Sequence, residues 1–417
     1  MKRFGFLALI LLAALILCPG ISAGECGDDP ENVIVCGDYG YILLPDGTAE
    51  IVRYEGYGQH ADIPAVLDGI PVTRIGSGAF EEERGLISIT VPEGITAIGS
   101  YAFCRCLRLQ AVSLPDGLTV IGDGAFQGTS DLEALSIPDS VAEIGSGAFF
   151  ASGLKAVKLP ARLRRIGKQA FQQTRLASVE IPDGTEEIGH LAFCDCKELT
   201  DIFLPDSIAS IIGNPFLYCS GLTGFRFSDA HPYLEMKDGV LFSRPDARLI
   251  CYPDTLEGGA YVIPDGTRII GVSAFKSLRE VTIPDSVETI GDYAFGHCPL
   301  VSVAIPDSVT SIGTGAFYCC KKLTGIRLPA GISAIPKMAF DGCTALTAVD
   351  LPDSLTEIGP NAFYNCRKLP SLKIPAQVTK IGSNAFYGCK ALTAAVQEGT
   401  YAQVYCAENG VPYSTGE

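Results

Sequence analysis

The chain has 417 residues, of which 47% are apolar and only 19% are charged, with 46 glycines and 26 prolines. This composition supplies a large core and argues against disorder or a long coiled coil, both of which need more charge. The net charge of −16 disfavours a phosphate-binding surface, so we expect no nucleic-acid partner.

The first residues are typical of a secretory signal. Two basic residues precede an almost wholly apolar run over residues 4–17, and small residues follow, with cleavage preferred after Ala23. We therefore expect residues 1–23 to be removed and the mature protein to be secreted or retained at the extracellular cell surface. Lipidation of Cys18 is the weaker alternative, because bulky Leu17 lies where a small residue is required. No later apolar run is long enough to span a membrane.

Residues 24–71 are predicted to form an N-terminal β cap. Three short strand-like segments lie between residues 33 and 52 and suit an antiparallel cover for the first repeat. Cys26 and Cys36 could staple this cover as a disulfide, or both could remain thiols.

A motif that reads Gly-x-x-Ala-Phe, or a close variant, recurs through residues 72–216 and 264–396. Intervals of 22 or 23 residues dominate, with one gap of 59 and one step of 20. Thirteen phenylalanines mark the repeats: Phe80, Phe103, Phe126, Phe149, Phe171, Phe193, Phe216, Phe275, Phe295, Phe317, Phe340, Phe363 and Phe386.

One complete unit, starting at Leu346, reads L-T-A-V-D-L-P-D-S-L-T-E-I-G-P-N-A-F-Y-N-C-R-K. Val349 and Leu351 lie two residues apart, as on one side of a strand, and Pro352 then ends the strand. A second apolar pair, a glycine and a tight helical turn at Ala-Phe complete the unit. No single unit can enclose its own apolar side, so the units must stack as a solenoid.

This unit resembles that of the BspA-like bacterial leucine-rich-repeat proteins, approximately L-x-x-I-x-I-P-x-x-V-x-x-I-G-x-x-A-F-x-x-C-x-x. The similarity covers about residues 72 to 396. It implies a leucine-rich-repeat-like solenoid, that is, a strand-rich, right-handed β/α superhelix of about thirteen 22–23-residue repeats. It also implies a secreted or surface-exposed binding protein, without identifying a ligand.

The interruption and the C-terminus have separate predicted roles. Residues 217–263 resemble the family's hairpin insertion and are expected to project as an arm, which either is a tolerated excursion or grips a ligand. Residues 397–417 are predicted to form a C-terminal helical cap, since Tyr401, Val404 and Tyr405 fall at helical spacing.

Neither a metal, a cofactor nor a catalytic site is predicted. Most cysteines lie three residues after a phenylalanine and should pack inward as a column. Cys104 and Cys106, like Cys194 and Cys196, form C-x-C pairs that lack the four converging ligands zinc needs. One aspartate per turn does not supply the six to eight oxygen ligands of calcium. No catalytic motif is present, although paired carboxylates for sugar hydrolysis remain an alternative.

The open face of the strands is the predicted binding surface. The residues at offset 2 from the leucine that begins each unit, such as Ala348, are mostly small. The residues at offset 4, such as Asp350, vary from repeat to repeat. Phe203 beside Arg226 is the most interface-like pair, and Lys158 and Glu180 occupy the same position on the two preceding repeats.

We therefore expect a non-catalytic, adhesin-like recognition protein that binds another protein or a matrix or cell-surface component through this face. A structural, self-associating surface component is the alternative, and a glycan hydrolase is the third hypothesis. The sequence leaves the oligomeric state open.

Overall fold

The computed structural model describes residues 32–256 and 259–415. The predicted signal peptide and Cys26 lie outside the described residues, so the disulfide between Cys26 and Cys36 stays a prediction. The described chain is a solenoid in which each rung contributes one strand to a front face and one to a back face, and the solenoid prediction is confirmed.

The front face is formed mostly of three-residue strands that run parallel to one another and lie side by side in short hydrogen-bonded groups. Short strands follow from the proline that ends each of them in most repeats, because proline cannot donate to a ladder. The front strands are His60–Asp62, Ser88–Thr90, Ala111–Ser113, Ala134–Ser136, Ala156–Lys158, Ser178–Glu180, Asp201–Phe203, Gly224–Arg226, Ala260–Val262, Glu280–Thr282, Ser302–Ala304, Gly325–Arg327, Ala348–Asp350, Ser371–Lys373, Thr393–Val396 and Tyr413–Thr415.

The back face stacks shorter strands, and their isoleucines pair in register, as Ile98 does with Ile121 and Ile121 with Ile144. Each isoleucine side chain thereby covers the one below it. The back strands are Ala49–Tyr54, Ile70–Ile75, Ala97–Ile98, Val120–Ile121, Glu143–Ile144, Arg165–Ile166, Glu187–Ile188, Ser210–Ile211, Ile269–Ile270, Thr289–Ile290, Ser311–Ile312, Ala334–Ile335, Glu357–Ile358 and Lys380–Ile381.

A glycine column after the back strands is required by close approach of successive rungs. A Cβ atom at Gly145 would lie 2.6 Å from the backbone carbon of Gly122, and one at Gly122 would lie 2.7 Å from that of Gly99. No side chain fits this spacing, so the glycine of the repeat is a packing requirement.

The Ala-Phe segments form turns along the third side of the stack. The backbone N–H of Phe103 donates to the carbonyl of Ala125 on the next rung at 2.8 Å, so these turns are themselves paired between rungs. Left-handed residues flank the phenylalanine, as at Tyr101 (φ 58°) and Arg105 (φ 59°). Two such residues within five positions prevent an α-helix from continuing, which explains why the outer segment is a turn.

The phenylalanines stack through the centre of the solenoid. From Phe80 to Phe216, and again from Phe275 to Phe386, neighbouring ring centroids are 5.1 to 5.9 Å apart. Tyr54, Tyr252 and Tyr405 pack against the ends of the two runs. These tyrosines extend the aromatic column at its ends. The described residues form 16 front strands, about three more rungs than the thirteen phenylalanines alone predict.

Caps close both ends of the described stack. At the N-terminus, Ile34–Cys36 and Tyr39–Leu43 pair antiparallel and join Ala49–Tyr54, while Val66–Leu67 pairs with Ile70–Ile75. At the C-terminus, the helix Tyr401–Glu408 packs against the last back strand. Ala402, Tyr405 and Cys406 are its buried residues, whereas Tyr401 and Val404, which the sequence pattern also selects, are exposed.

The interruption does not project as an arm. Leu234–Lys237, Val240–Ser243 and Arg248–Cys251 form an antiparallel meander, and the last of these strands pairs in parallel with Ile269–Ile270. The meander therefore continues the back face. All four residues of Val240–Ser243 are buried, which a projecting arm would not allow.

This buried strand divides the interior into two cores. Val240 and Phe242 pack with the C-terminal core, whereas Leu241 packs with the N-terminal core. Because successive side chains of a strand point to opposite sides, one strand can face both cores. We call Val240–Ser243 the dividing strand.

Loss of one stacked ring should destabilise the C-terminal core. Phe317 is fully buried, so Phe317→Ala is expected to lower the free energy of unfolding by about 3–5 kcal/mol. Tyr387 is 63% exposed and stacks on Tyr364, so Tyr387→Ala should cost less than about 1.5 kcal/mol. Urea unfolding followed by circular dichroism measures both, and equal losses would contradict a central role for the stack.

Candidate functional site

The four residues singled out from the sequence lie on consecutive front strands. Glu180, Phe203 and Arg226 are direct partners in the parallel register, and Lys158 has the same position on the preceding strand. All four alternate with inward-facing apolar residues, which is why they reach the surface together. We call these four residues the front patch.

Arg226 is the organising residue of the front patch. Its Nε lies 2.8 Å and 2.7 Å from the two carboxylate oxygens of Asp201, and its Nη2 lies 3.4 Å from Glu180 Oε1. The guanidinium also lies over the Phe203 ring, 5.7 Å from the centroid. The hydrogen bond to Asp201 raises the pKa of Arg226. One side of the half-buried Phe203 ring is therefore covered by the guanidinium.

Asp201 is the member of this arrangement that sequence reasoning missed. It is the first residue of its front strand, a position where most repeats have serine, alanine or glycine. A charged residue at a position that is small in most repeats was the available signal, although Glu280 shares it. Its carboxylate is what fixes the direction of the Arg226 side chain.

Two shallow grooves run beside the front patch, between the strand ends and the proline turns. The first, of about 480 Å³, is lined by Asp116, Ser136 and Asp139 among others, and the second, of about 590 Å³, by Glu180, Asp183 and Phe203 among others. Lys158 lines both, and its Nζ lies 3.8 Å from Asp139 Oδ1. The surface therefore offers an extended, open trough rather than an enclosed pocket.

The cysteine column packs inward and also satisfies backbone carbonyls. The thiol of Cys343 donates to the carbonyl oxygen of Phe317 at 3.1 Å, and that of Cys366 donates to Phe340 in the same way. Burial raises the pKa of Cys106 to about 12 and that of Cys196 to about 11. Such thiols are poor nucleophiles and poor metal ligands, because both roles need the thiolate.

The described histidines do not form a shared site. His60 Nδ1 lies 2.7 Å from Ser88 Oγ on the front face, whereas His231 is buried and its Nε2 donates to the carbonyl of Pro205 at 2.9 Å. Burial lowers the pKa of His190 to about 4. Within residues 32–256 and 259–415, no group of three or more His, Cys, Asp or Glu has a metal-binding arrangement.

A family model described as "BspA type Leucine rich repeat region" matches the chain over residues 70–174, 119–237 and 261–393. No curated protein matches the sequence. Among the described helices, none has the length and apolar character that crossing a bilayer requires.

Solved structures of bacterial repeat proteins are similar to this chain. A leucine rich cell surface protein from Faecalibacterium prausnitzii A2-165 is 28% identical, with a TM-score of 0.59, over 94% of this chain and 100% of that one. A leucine-rich repeat protein from Eubacterium ventriosum ATCC 27560 is 24% identical, with a TM-score of 0.61, over 86% and 95%. The pneumococcal vaccine antigen PcpA is 21% identical, with a TM-score of 0.53, over 93% and 99%. The latter two establish the likeness of fold.

Acid should destabilise the fold through His190. Unfolded histidine has a pKa near 6.5, whereas the pKa of the partly buried His190 is lowered to about 4, so protons bind the unfolded chain first. Stability is therefore expected to fall by up to about 3 kcal/mol between these values. Serine is the natural residue at the equivalent position of two other repeats, Ser100 and Ser146, so His190→Ser is a conservative change. This variant should lose less stability as the pH falls. Urea unfolding from pH 7 to pH 4 measures it, with His60→Ser as the exposed control; an unchanged slope for His190→Ser would contradict the assignment.

The buried thiols should resist modification in the native protein. Of the described cysteines, Cys36 and Cys319 are partly exposed and the others are buried. A maleimide reagent at pH 7 is therefore expected to label these two first and the column only after denaturation. Peptide mass spectrometry locates the labels, and rapid labelling of Cys343 in the native protein would contradict the packing.

Proposed function

Since the chain belongs to the BspA-type leucine-rich repeat family, we propose that it is a non-catalytic, extracellular recognition protein that binds a protein partner through its front face. The partner is a protein or a protein component of a cell surface or matrix. A leucine rich cell surface protein from Faecalibacterium prausnitzii has the same architecture over its whole length, which supports a surface location.

The observation that carries this proposal is the pre-arranged front patch. Phe203 is an aromatic side chain on an open strand face, and Arg226, which binds Asp201 and Glu180, lies over its ring. Aromatic and arginine side chains are enriched at binding hot spots. An anchor that is already fixed loses little conformational entropy on binding.

Self-association is a second candidate, and the strand at the N-terminal edge favours it. Ile34–Cys36 is the outermost described strand of its sheet, and Ile34 and Val35 are 40% and 53% exposed. An exposed apolar edge is a template for pairing with another chain. Concentration-dependent assembly without added ligand, followed by light scattering, distinguishes this candidate from recognition of a different protein.

Removing the front patch should abolish partner capture without unfolding the protein. Phe203→Ala combined with Arg226→Ala is expected to reduce retention of partner proteins from matrix and cell-surface extracts at least tenfold, because such anchors contribute about 2 kcal/mol or more. Thermal unfolding should change little, since Arg226 is exposed and Phe203 only half-buried.

Val262→Ala combined with Arg327→Ala provides the control. These residues occupy the same strand position in the second half of the solenoid, and Val262 is 68% exposed. Retention by this control should match the unchanged protein. Undiminished capture after loss of Phe203 and Arg226 would remove the front patch from consideration.

A further inference from the structure

Carboxylates dominate the part of the front face that contains the front patch. Between Ser88 and Asp229, at the outward strand positions and at the turns that follow the strands, eight carboxylates accompany three cationic side chains, those of Lys158, Arg162 and Arg226. The carboxylates belong to Glu93, Asp116, Asp139, Glu180, Asp183, Asp201, Asp206 and Asp229.

Two of these cations, Lys158 and Arg226, are already paired within the chain, and the third, Arg162, lines neither groove. Lys158 lies 3.8 Å from Asp139, and Arg226 contacts Asp201 and Glu180. Lys155, which also lines the second groove, binds Glu133 at 2.5 Å. These cations therefore do not offset the remaining carboxylates, and the trough presents a negative potential.

Several of the remaining carboxylates are exposed and have no cation of the described chain within salt-bridge distance. Asp116 in the first groove and Asp183 in the second are two of them. Asp183 shares its groove with Phe203 and Glu180, so an aromatic ring and two carboxylates line one open space. An aromatic face next to carboxylates suits a guanidinium or ammonium group, which gains both cation–π and ionic attraction.

The chain itself shows that this chemistry works at the front patch. Arg226 places its guanidinium over Phe203 while it binds Asp201 and Glu180. A ligand cation that entered the groove from the side of Lys158 and Asp183 would meet the same ring and the other side of the same carboxylate row.

We infer that the trough binds an extended, arginine- or lysine-bearing segment of the protein partner. This inference rests on the proposed function and adds the chemistry of the segment recognised. Charge complementarity selects a cationic segment, and the open shape of the two joined grooves selects an extended one.

The spacing of the turns suggests where the cations of the segment lie. Turns two rungs apart are separated by about 9.6 Å, because stacked strands are about 4.8 Å apart. In an extended polyproline-type chain, every third residue advances by about 9.3 Å. A segment with a cation at every third position therefore matches the spacing of carboxylates on alternate rungs, such as the exposed Asp183 and Asp229.

The probe is a fluorescein-labelled nonapeptide made of three Arg-Gly-Gly units, with Gln-Gly-Gly and Glu-Gly-Gly versions as controls. Fluorescence anisotropy with the mature protein is expected to show binding of the arginine peptide, weakening as salt rises, and none of either control. Equal binding of the glutamine peptide, or no binding of the arginine peptide, would overturn the inference.

Paired variants locate the binding. Asp183→Asn with Asp229→Asn should weaken the arginine peptide at least fivefold. Asp285→Asn with Asp353→Asn, at the same turn position in the second half and with the same change in net charge, should weaken it less than twofold. Phe203→Ala should weaken it at least threefold. Equal effects of the two aspartate pairs would show general attraction to an acidic protein and would overturn the inference.

The two proposals fail in different ways. If loss of Phe203 and Arg226 abolishes partner capture while the arginine peptide does not bind, the front patch is a binding site but its partner segment is not cationic. If capture is unaffected by that loss, the proposed function fails whatever the peptide does.

Discussion

The fold depends on the fact that each rung is completed only by its neighbour. The backbone of one rung pairs with the next along the front strands, the back strands and the Ala-Phe turns, as when Phe103 donates to Ala125. The phenylalanine rings and the isoleucines stack along the same direction. All these columns require one common spacing, which is why the glycine at positions such as Gly145 cannot carry a side chain.

Most of this could be predicted from the sequence because the repeat encodes it directly. Each feature of the repeat predicts one feature of the structure. The phenylalanine interval gives the length of a rung, the proline ends the strand, and the cysteines pack inward. Two features could not be predicted because they depend on residues far apart in the sequence. Tyr54, Tyr252 and Tyr405 complete the aromatic column from outside the motif. The interruption is packed inside rather than projecting. Its alternating apolar residues are compatible with an exposed hairpin or a buried strand, and only the presence of two flanking cores decides between them.

The residues of the candidate site could also be predicted from the sequence, but not all of their contacts. The variable strand position points to Lys158, Glu180, Phe203 and Arg226, and parallel register brings them together. The role of Asp201 was not predictable in the same way, because an arginine at the surface has several acidic neighbours within reach. The choice of Asp201 and Glu180 depends on the direction in which the guanidinium extends across Phe203.

The dividing strand packs with both cores, which gives the stack a shared element that an uninterrupted repeat array would lack. Since Leu241 packs with the N-terminal core and Val240 and Phe242 pack with the C-terminal core, the dividing strand contributes to the end of both halves. Fraying that starts at either terminus advances rung by rung until it reaches this shared element, where continuing would mean opening both interiors at once. The dividing strand is therefore an internal stop to unravelling from either end.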